Sequence, residues 1–278
     1  MVNLSTSKNR LHLPSAEELP CSDETPVDNQ LQNDIPNLLL SLLAYLWAER
    51  DDWYFGVDMG VYYNPDQPAI VPDGFLAVGV KHNTGERGRL SYVLWEGAYI
   101  MPILSLEVIS EKYNGEYEEK FSDYQSLGIL YYAIYNPFSG RRGRFKNRQR
   151  LEVYKLLGGK YELLPRENNR VWLPEIGLAL GYEYGEHIAW VREWLYWYDE
   201  SGNRYLTATE RAMNAEAIAT QERLIATQER LAKEEAEAIA IQERLIADRE
   251  RLAKQEAEQK AQRLAERLRA LGINPDEI

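Results

Sequence analysis

The chain has 278 residues, 45% hydrophobic and 27% charged, with a formal net charge of −12 and a pI near 4.9. That suffices for one globular domain plus an appendage; no run of eighteen apolar residues offers a membrane span, and the acidity argues against a general nucleic-acid coating protein. One cysteine, Cys21, and three scattered histidines, His12, His82 and His187, supply neither a disulfide nor a zinc cluster, and with no apolar leader after Lys8 and Arg10 the expected location is the cytoplasm.

Residues 1–30 are polar, rich in Pro, Ser, Glu and Asp and without periodicity, which predicts a flexible lead-in. Asp34 is the expected N-cap of a helix with Pro36 in its first turn, and Leu38, Leu39, Leu40, Leu42, Leu43, Leu46 and Trp47 leave that helix little polar face. Short aromatic and β-branched runs broken by Gly, Pro and Asn then predict strands at 53–57, 61–63, 75–80, 92–95 and 103–109. The last is nearly all apolar apart from Ser105 and Glu107, the pattern of a central strand covered on both faces, where a carboxylate is expensive. A helix over 116–127 stopped by Gly128, then a strand at 131–135 closed by Asn136 and Pro137, suggests a crossover unit. Residues 151–157 and 161–164 form a predicted hairpin whose tight turn uses the positive φ of Gly158 and Gly159. Trp172, Trp190, Trp194 and Trp197 are expected to cover one side of the sheet; for the cluster at 190–198, packing fits better than stacking on bases.

After Gly202 the composition changes. Residues 217–237 recur as 238–258, a period of three heptads that favours a coiled coil. Leu224, Leu231, Leu245 and Leu252 fall seven or fourteen apart, flanked by Ile225, Ala232, Ile239 and Ile246, while the half-heptad positions include Gln221, Gln228 and Gln242. Between Arg211 and Arg269 there are twelve basic and twelve acidic residues, so the net negative charge belongs to the rest of the chain. The alternative for this tail is a solvated helix rich in Ala, Glu and Arg. The expected division is a flexible segment 1–30, a folded domain 31–200, a linker 201–212, a coiled-coil helix 213–272 and a tail 273–278, with self-association as a dimer or higher oligomer.

The common signatures of serine hydrolases, zincins, P-loop proteins and dinucleotide-binding folds are missing. What remains is a pair of acids on adjacent extended segments: Asp73 at the mouth of a strand and Glu107 inside one. Two buried carboxylates without a cation raise one another's pKa, whereas a hard divalent ion such as Mg²⁺ or Mn²⁺, completed by waters and a backbone carbonyl near Val108, removes the penalty. Lys120, at the edge of the stripe formed by Tyr117, Phe121, Tyr124 and Leu127, is placed to lean toward them; Lys112 is nearer in sequence but in a polar loop.

At these residues the chain resembles the Uma-two family of restriction endonuclease-like proteins, within the PD-(D/E)XK nuclease superfamily, and looks like its cyanobacterial members with Glu/Arg-rich helical tails. The matching pieces are Pro72-Asp73-Gly74-Phe75-Leu76, Leu106-Glu107-Val108-Ile109-Ser110, Lys120 with Tyr124 and Leu127-Gly128, Tyr132 to Pro137, and Leu151-Glu152-Val153-Tyr154. The resemblance implies an α/β fold with a restriction-endonuclease-like core, a mixed central sheet flanked by helices, followed here by the long C-terminal helix. It further implies a Mg²⁺- or Mn²⁺-dependent endonuclease in which Asp73 and Glu107 are metal ligands and DNA is cut to a 5′-phosphate and a 3′-hydroxyl. One departure stands out: the lysine expected two residues after the glutamate is Ile109, and Lys120 matches the helical lysine thought to replace it in this family.

Arg141, Arg142, Arg144, Lys146, Arg148 and Arg150 put six cations into ten residues beside Gly140 and Gly143, a loop suited to gripping a phosphate backbone or, alternatively, a solvated charge run offsetting the acidic body. The acidic body and Ile109 favour a second possibility, a non-catalytic interaction protein that works through its coiled coil; Asp73, Glu107 and Lys120 favour the enzyme.

Overall fold

The structure is a computed structural model and describes residues 12–21, 29–82, 86, 88–141 and 144–272. The chain divides into two compact units, Met1–Thr209 and Glu210–Ile278. In the first, helix α1 (Gln30–Leu46) precedes β1 (Trp53–Val57), β2 (Val61–Tyr62), β3 (Gly74–Val78) and β4 (Tyr92–Val93). Then come β5 (Leu104–Val108), α2 (Glu119–Leu127), β6 (Tyr131–Tyr135), β7 (Leu151–Leu157), β8 (Lys160–Leu163), β9 (Arg170–Leu173), β10 (Leu178–His187) and β11 (Trp190–Tyr198). Six strands make one sheet in the order β1-β3-β5-β6-β7-β8, antiparallel except for the parallel pair β5 and β6 that α2 connects. The fold is therefore the mixed α/β arrangement expected.

Side chains alternate along the central strands, and both faces are covered. Leu104, Leu106 and Val108 of β5 and Tyr131, Ala133 and Tyr135 of β6 pack with α1 and with β9–β11. Tyr132 and Ile134 pack on the opposite face with Ile109 and with Tyr124 and Leu127 of α2. The two-residue turn between β7 and β8 uses Gly158 and Gly159 at φ +56 and +84, as the hairpin requires.

Several elements differ from the sequence expectation. The aromatic cover is itself a three-stranded antiparallel sheet in the order β11-β10-β9; Trp194 and Trp197 are buried in it, while Trp172 and Trp190 lie partly in the open. Helix α1 starts earlier than Asp34 suggests. Its N-cap is Asn29, whose side chain accepts from Leu31 N–H at 2.8 Å while its own N–H donates to Gln32 Oε1 at 3.3 Å, a capping box that satisfies two helix-end donors. Pro36 thus falls inside the helix, where its Cβ approaches the α-carbon of Gly74 so closely that a methyl there would sit 3.1 Å away. Helix α2 begins at Glu119 rather than 116, because Gly115 at φ +79 and the non-helical Glu118 make residues 115–118 a turn. Residues 12–21 are not a free lead-in: Trp95 Nε1 donates to Pro14 O at 2.7 Å and Tyr62 OH to Pro20 O at 2.7 Å. Residues 1–11 and 22–28 of that lead-in and the tail 273–278 lie outside the described residues.

Residues expected as linker also pack: Tyr205 N–H donates to Trp197 O at 3.0 Å, Arg204 pairs with Glu183, and α3 (Ala208–Ala270) begins at once. This helix runs 63 residues without a buried side chain, and Leu224, Leu231, Leu245 and Leu252 are all more than half exposed. Among the described residues no helix is long and apolar enough to cross a membrane.

Trp197 joins the layers, fully buried with its Nε1–H donated to Leu39 O at 3.1 Å. Trp197→Ala is expected to cost about 3–5 kcal/mol and Trp197→Phe about a third of that, read as a drop in the urea midpoint at unchanged slope.

Candidate active site

Glu107 is the penultimate residue of β5, and alternation turns it to the face that α2 covers, where it is wholly buried. Lys120 and Tyr124, four residues apart on one face of α2, both reach it. Lys120 Nζ lies 2.7 Å from Oε2 and Tyr124 OH 2.6 Å from Oε1. Asp73 immediately precedes β3. Because Gly74 pairs with Leu106 and Phe75 with Ser105, one further step of that antiparallel register brings Asp73 opposite Glu107 on the same face. Its Oδ2 accepts the Val108 N–H at 2.6 Å, and Gln32 Nε2 approaches Oδ1 at 3.3 Å. Gln32 can offer only its amino end because its Oε1 already accepts from Asn29 N–H in the capping box.

Burial dominates the electrostatics. It pushes the Asp73 carboxyl well above the usual carboxylate range, and the neighbouring Glu107 raises it further. Burial also raises Glu107, opposed by the Lys120 ammonium. For Lys120, burial alone would lower the pKa, but Glu107 outweighs it and the ammonium is held above its ordinary value. Burial and the same carboxylate drive the Tyr124 phenol well up, keeping it protonated as a donor. A third acid, Glu116, is 1% exposed and adds negative potential at both carboxylates. Asn114 N–H donates to its Oε2 at 3.1 Å, and Tyr132 OH donates to its main-chain oxygen at 2.7 Å.

A family model described as "Uma2: Putative restriction endonuclease" matches residues 22–188, more than half of the chain. The chain belongs to the Uma2 family. Comparison with curated proteins finds no match. The Uma2 region contains Asp73, Glu107, Lys120 and the basic loop, and it ends after β10, leaving β11 and α3 outside.

The departure at Ile109 has a structural counterpart in this Uma2 chain. Ile109 is fully buried among Tyr124, Leu127, Ile129 and Tyr132, where an ammonium would be surrounded by apolar side chains, and Lys120 supplies the charge from α2 instead. Lys112 is exposed and does not meet the carboxylates; its main-chain oxygen accepts from Ser110 Oγ at 2.6 Å. Gln32, Tyr124 and Glu116 are the residues that sequence reasoning did not assign to the site. Tyr124 was visible as part of an apolar stripe and of the family resemblance but without a role, and Gln32 needed the capping box and a contact 41 residues away.

The basic loop is only partly free. Arg144 lies 4.3 Å over the Tyr113 ring and 3.5 Å from Glu118, and Arg148 lies 4.2 Å over Tyr117 and 3.6 Å from Glu152. Arg150 is engaged by Glu193 at 3.1 Å and by the main-chain oxygens of Pro137 and Ser139. Arg141 and Lys146 are exposed, and Arg142 lies outside the described residues. These contacts lay the loop along residues 113–118, the turn that leads into α2 and Lys120.

Among the described residues no three His, Cys, Asp or Glu side chains are arranged to hold a metal ion. The donor chemistry nevertheless fits a hard cation. Asp73 and Glu107 are all-oxygen donors, cross-strand neighbours, and disfavoured as anions in one another's company, which is the penalty a divalent ion relieves.

With Asp73 raised in the folded state, the folded chain keeps a proton that the unfolded chain loses near pH 4, so this group's contribution to stability falls as pH rises from there toward its folded value. A cation bound at Asp73 replaces that proton, so its affinity rises with pH over the same window. Mg²⁺ or Mn²⁺ at about a hundred times its Kd is expected to stabilise the fold by about 2.7 kcal/mol at neutral pH, the gain shrinking toward pH 4. Thermal denaturation of the wild type, Asp73→Asn and Glu107→Gln measures it, and both variants should lose the metal-induced rise in Tm.

Proposed function

We propose that this protein is a Mg²⁺- or Mn²⁺-dependent endonuclease that hydrolyses DNA phosphodiester bonds. The single observation that carries the proposal is the buried pair Asp73 and Glu107 with the Lys120 ammonium 2.7 Å from Glu107. Asp73 and Glu107, with the main chain at Val108, would hold the ion. A divalent cation supplies positive charge to a phosphate oxygen and makes water a better nucleophile at neutral pH.

The side chains do the rest. An ammonium has three N–H donors; Lys120 gives one to Glu107, and its side chain is 22% exposed, so its head can orient a water or meet a non-bridging phosphate oxygen. Tyr124 and Lys120 together fix the direction of the Glu107 carboxylate, and the Val108 N–H and Gln32 fix that of Asp73. The exposed cations Arg141 and Lys146, with Arg144 and Arg148 beside them, give an acidic body a local landing place for a phosphate backbone.

The tail favours two copies acting together. A helix of 63 residues with none buried leaves its apolar stripe in water, and intrahelical ion pairs such as Arg230–Glu234 and Asp248–Arg251 add only tenths of a kcal/mol each. A second copy fits that stripe best. The three-heptad repeat lets identical helices align, and the neutral tail carries no net charge to repel its like.

Plasmid relaxation in Mg²⁺ or Mn²⁺ tests the catalytic part: Asp73→Asn, Glu107→Gln and Lys120→Met should each slow nicking by about 10²-fold or more, whereas nicking that persists unchanged in all three places the activity elsewhere. Sedimentation of the full chain tests the tail. Two copies per particle are expected for the wild type and one for the double substitution Leu231→Lys with Leu245→Lys; equal mass for both sinks the pairing.

A further inference from the structure

We infer that the cleft beside the carboxylate pair receives one unpaired nucleobase, so that the substrate class is a nucleic acid carrying an unpaired nucleotide next to the scissile phosphate; this rests on the nuclease function proposed above. The cleft has a volume of about 410 Å³ and is bounded by Gln30, Leu31, Glu111, Lys112, Phe138 and Trp190. That is the size of a small-molecule site, too small for a duplex.

Its place in the fold links it to Asp73 and Glu107. Strands β5 and β6 run parallel, so the loops that leave their C-terminal ends emerge on one edge of the sheet, where ligands of such sheets bind. Glu111 and Lys112 lie on the first of these loops, just past Glu107, and Phe138 lies on the second. Gln30 and Leu31 belong to the first turn of α1, whose Gln32 touches Asp73. Trp190 opens β11, which is tied to the end of β6 by the Tyr135 OH donated to Glu193 O at 3.1 Å. The cleft and the two carboxylates thus share one sheet edge and one helical turn.

The lining suits a base in particular. Trp190 is 40% exposed at the open end of its strand, where Val191 is exposed too and burial begins only at Trp194; it packs on Trp194, edge-on at 5.8 Å, and on the Arg192 guanidinium at 5.0 Å. Trp190 and Phe138 offer π-faces on which any base stacks. The exposed Gln30 amide and the Glu111 carboxylate can meet donors and acceptors on a base edge, and Lys112 the phosphate that follows the base along the backbone. Taking a base out of a duplex costs unpairing and unstacking, least where it is already unpaired, so a cleft of this kind selects bulges, mismatches and single strands.

The test uses the full chain and three fluorescein-labelled DNA hairpins: fully paired, with a one-nucleotide bulge, and with the same bulge made abasic. Fluorescence anisotropy in EDTA should give about tenfold tighter binding of the bulge than of the other two. Trp190→Ala should remove that preference without weakening the paired hairpin, and Trp190→Phe should restore most of it. Equal affinity for all three hairpins, no binding to any of them, or a bulge preference untouched by Trp190→Ala overturns the inference. The comparison of the bulge with its abasic counterpart needs no variant, so it stands if Trp190→Ala fails to fold. Cleavage in Mg²⁺ separates the two proposals: equal cutting of all three hairpins overturns the base cleft and leaves the nuclease, whereas base-dependent binding without cutting keeps the cleft and overturns the nuclease.

Discussion

Two carboxylates placed opposite one another inside a packed sheet are the costliest feature of this protein, and the surrounding architecture answers to them. Asp73 and Glu107 are brought together by the β3–β5 register and are both buried, Glu107 beneath α2 and Asp73 beside Gln32 of α1. Neither is left unpartnered. Glu107 takes an ammonium and a phenol from two residues a helical turn apart, and Asp73 takes a main-chain N–H from the strand that carries Glu107. Donors lower the cost of burial without cancelling it, so Glu107 stays above its ordinary value and Asp73 well above its own.

The crossover between β5 and β6 is the device that makes such a site buildable. Parallel strands need a long connection, and the helix that provides it must lie on the face to which Glu107 points. Once α2 is there, a lysine at its start reaches the glutamate, and the position two residues after Glu107 is released for packing; Ile109 takes it. A charge that would be awkward within the strand is supplied from the partly exposed helix end. On the far face, α1 and the β9–β11 sheet bury the alternate side chains of the same strands, so Glu107 stands on a strand that is packed from both directions.

Charge is distributed unevenly along the chain. The body carries the net negative charge, the tail is neutral, and the cations of 141–150 are gathered in one loop laid against the turn before α2. Aromatic rings and acids hold Arg144 and Arg148 in that position, and Arg150 is spent on Glu193 and two main-chain oxygens. The loop is a braced edge of the fold as much as a charged surface.

Periodicity and turn chemistry determined the central part of this fold from the amino-acid order alone. Near-continuous apolar runs marked β5 and β6, the paired glycines marked the β7–β8 hairpin, and an acid inside an apolar strand marked Glu107 as an outlier. These signals are local, set by neighbouring residues and by the pleat or twist of one element. Local signals misplaced the start of α1, because Asp34 and Pro36 look like a helix beginning while the Asn29 and Gln32 box lies a turn earlier. They also made a covering surface of what is a second sheet, since its strands change from buried to exposed along their length and aromatic residues fall on both faces, which blurs the period of two. Only the tertiary structure decided that Asp73 faces Glu107, that Tyr124 is a donor as well as a core residue, and that Gln32 touches the site. Each depends on a strand register or on a contact across 17 to 41 residues, and such contacts exist only after the sheet has closed on its helices.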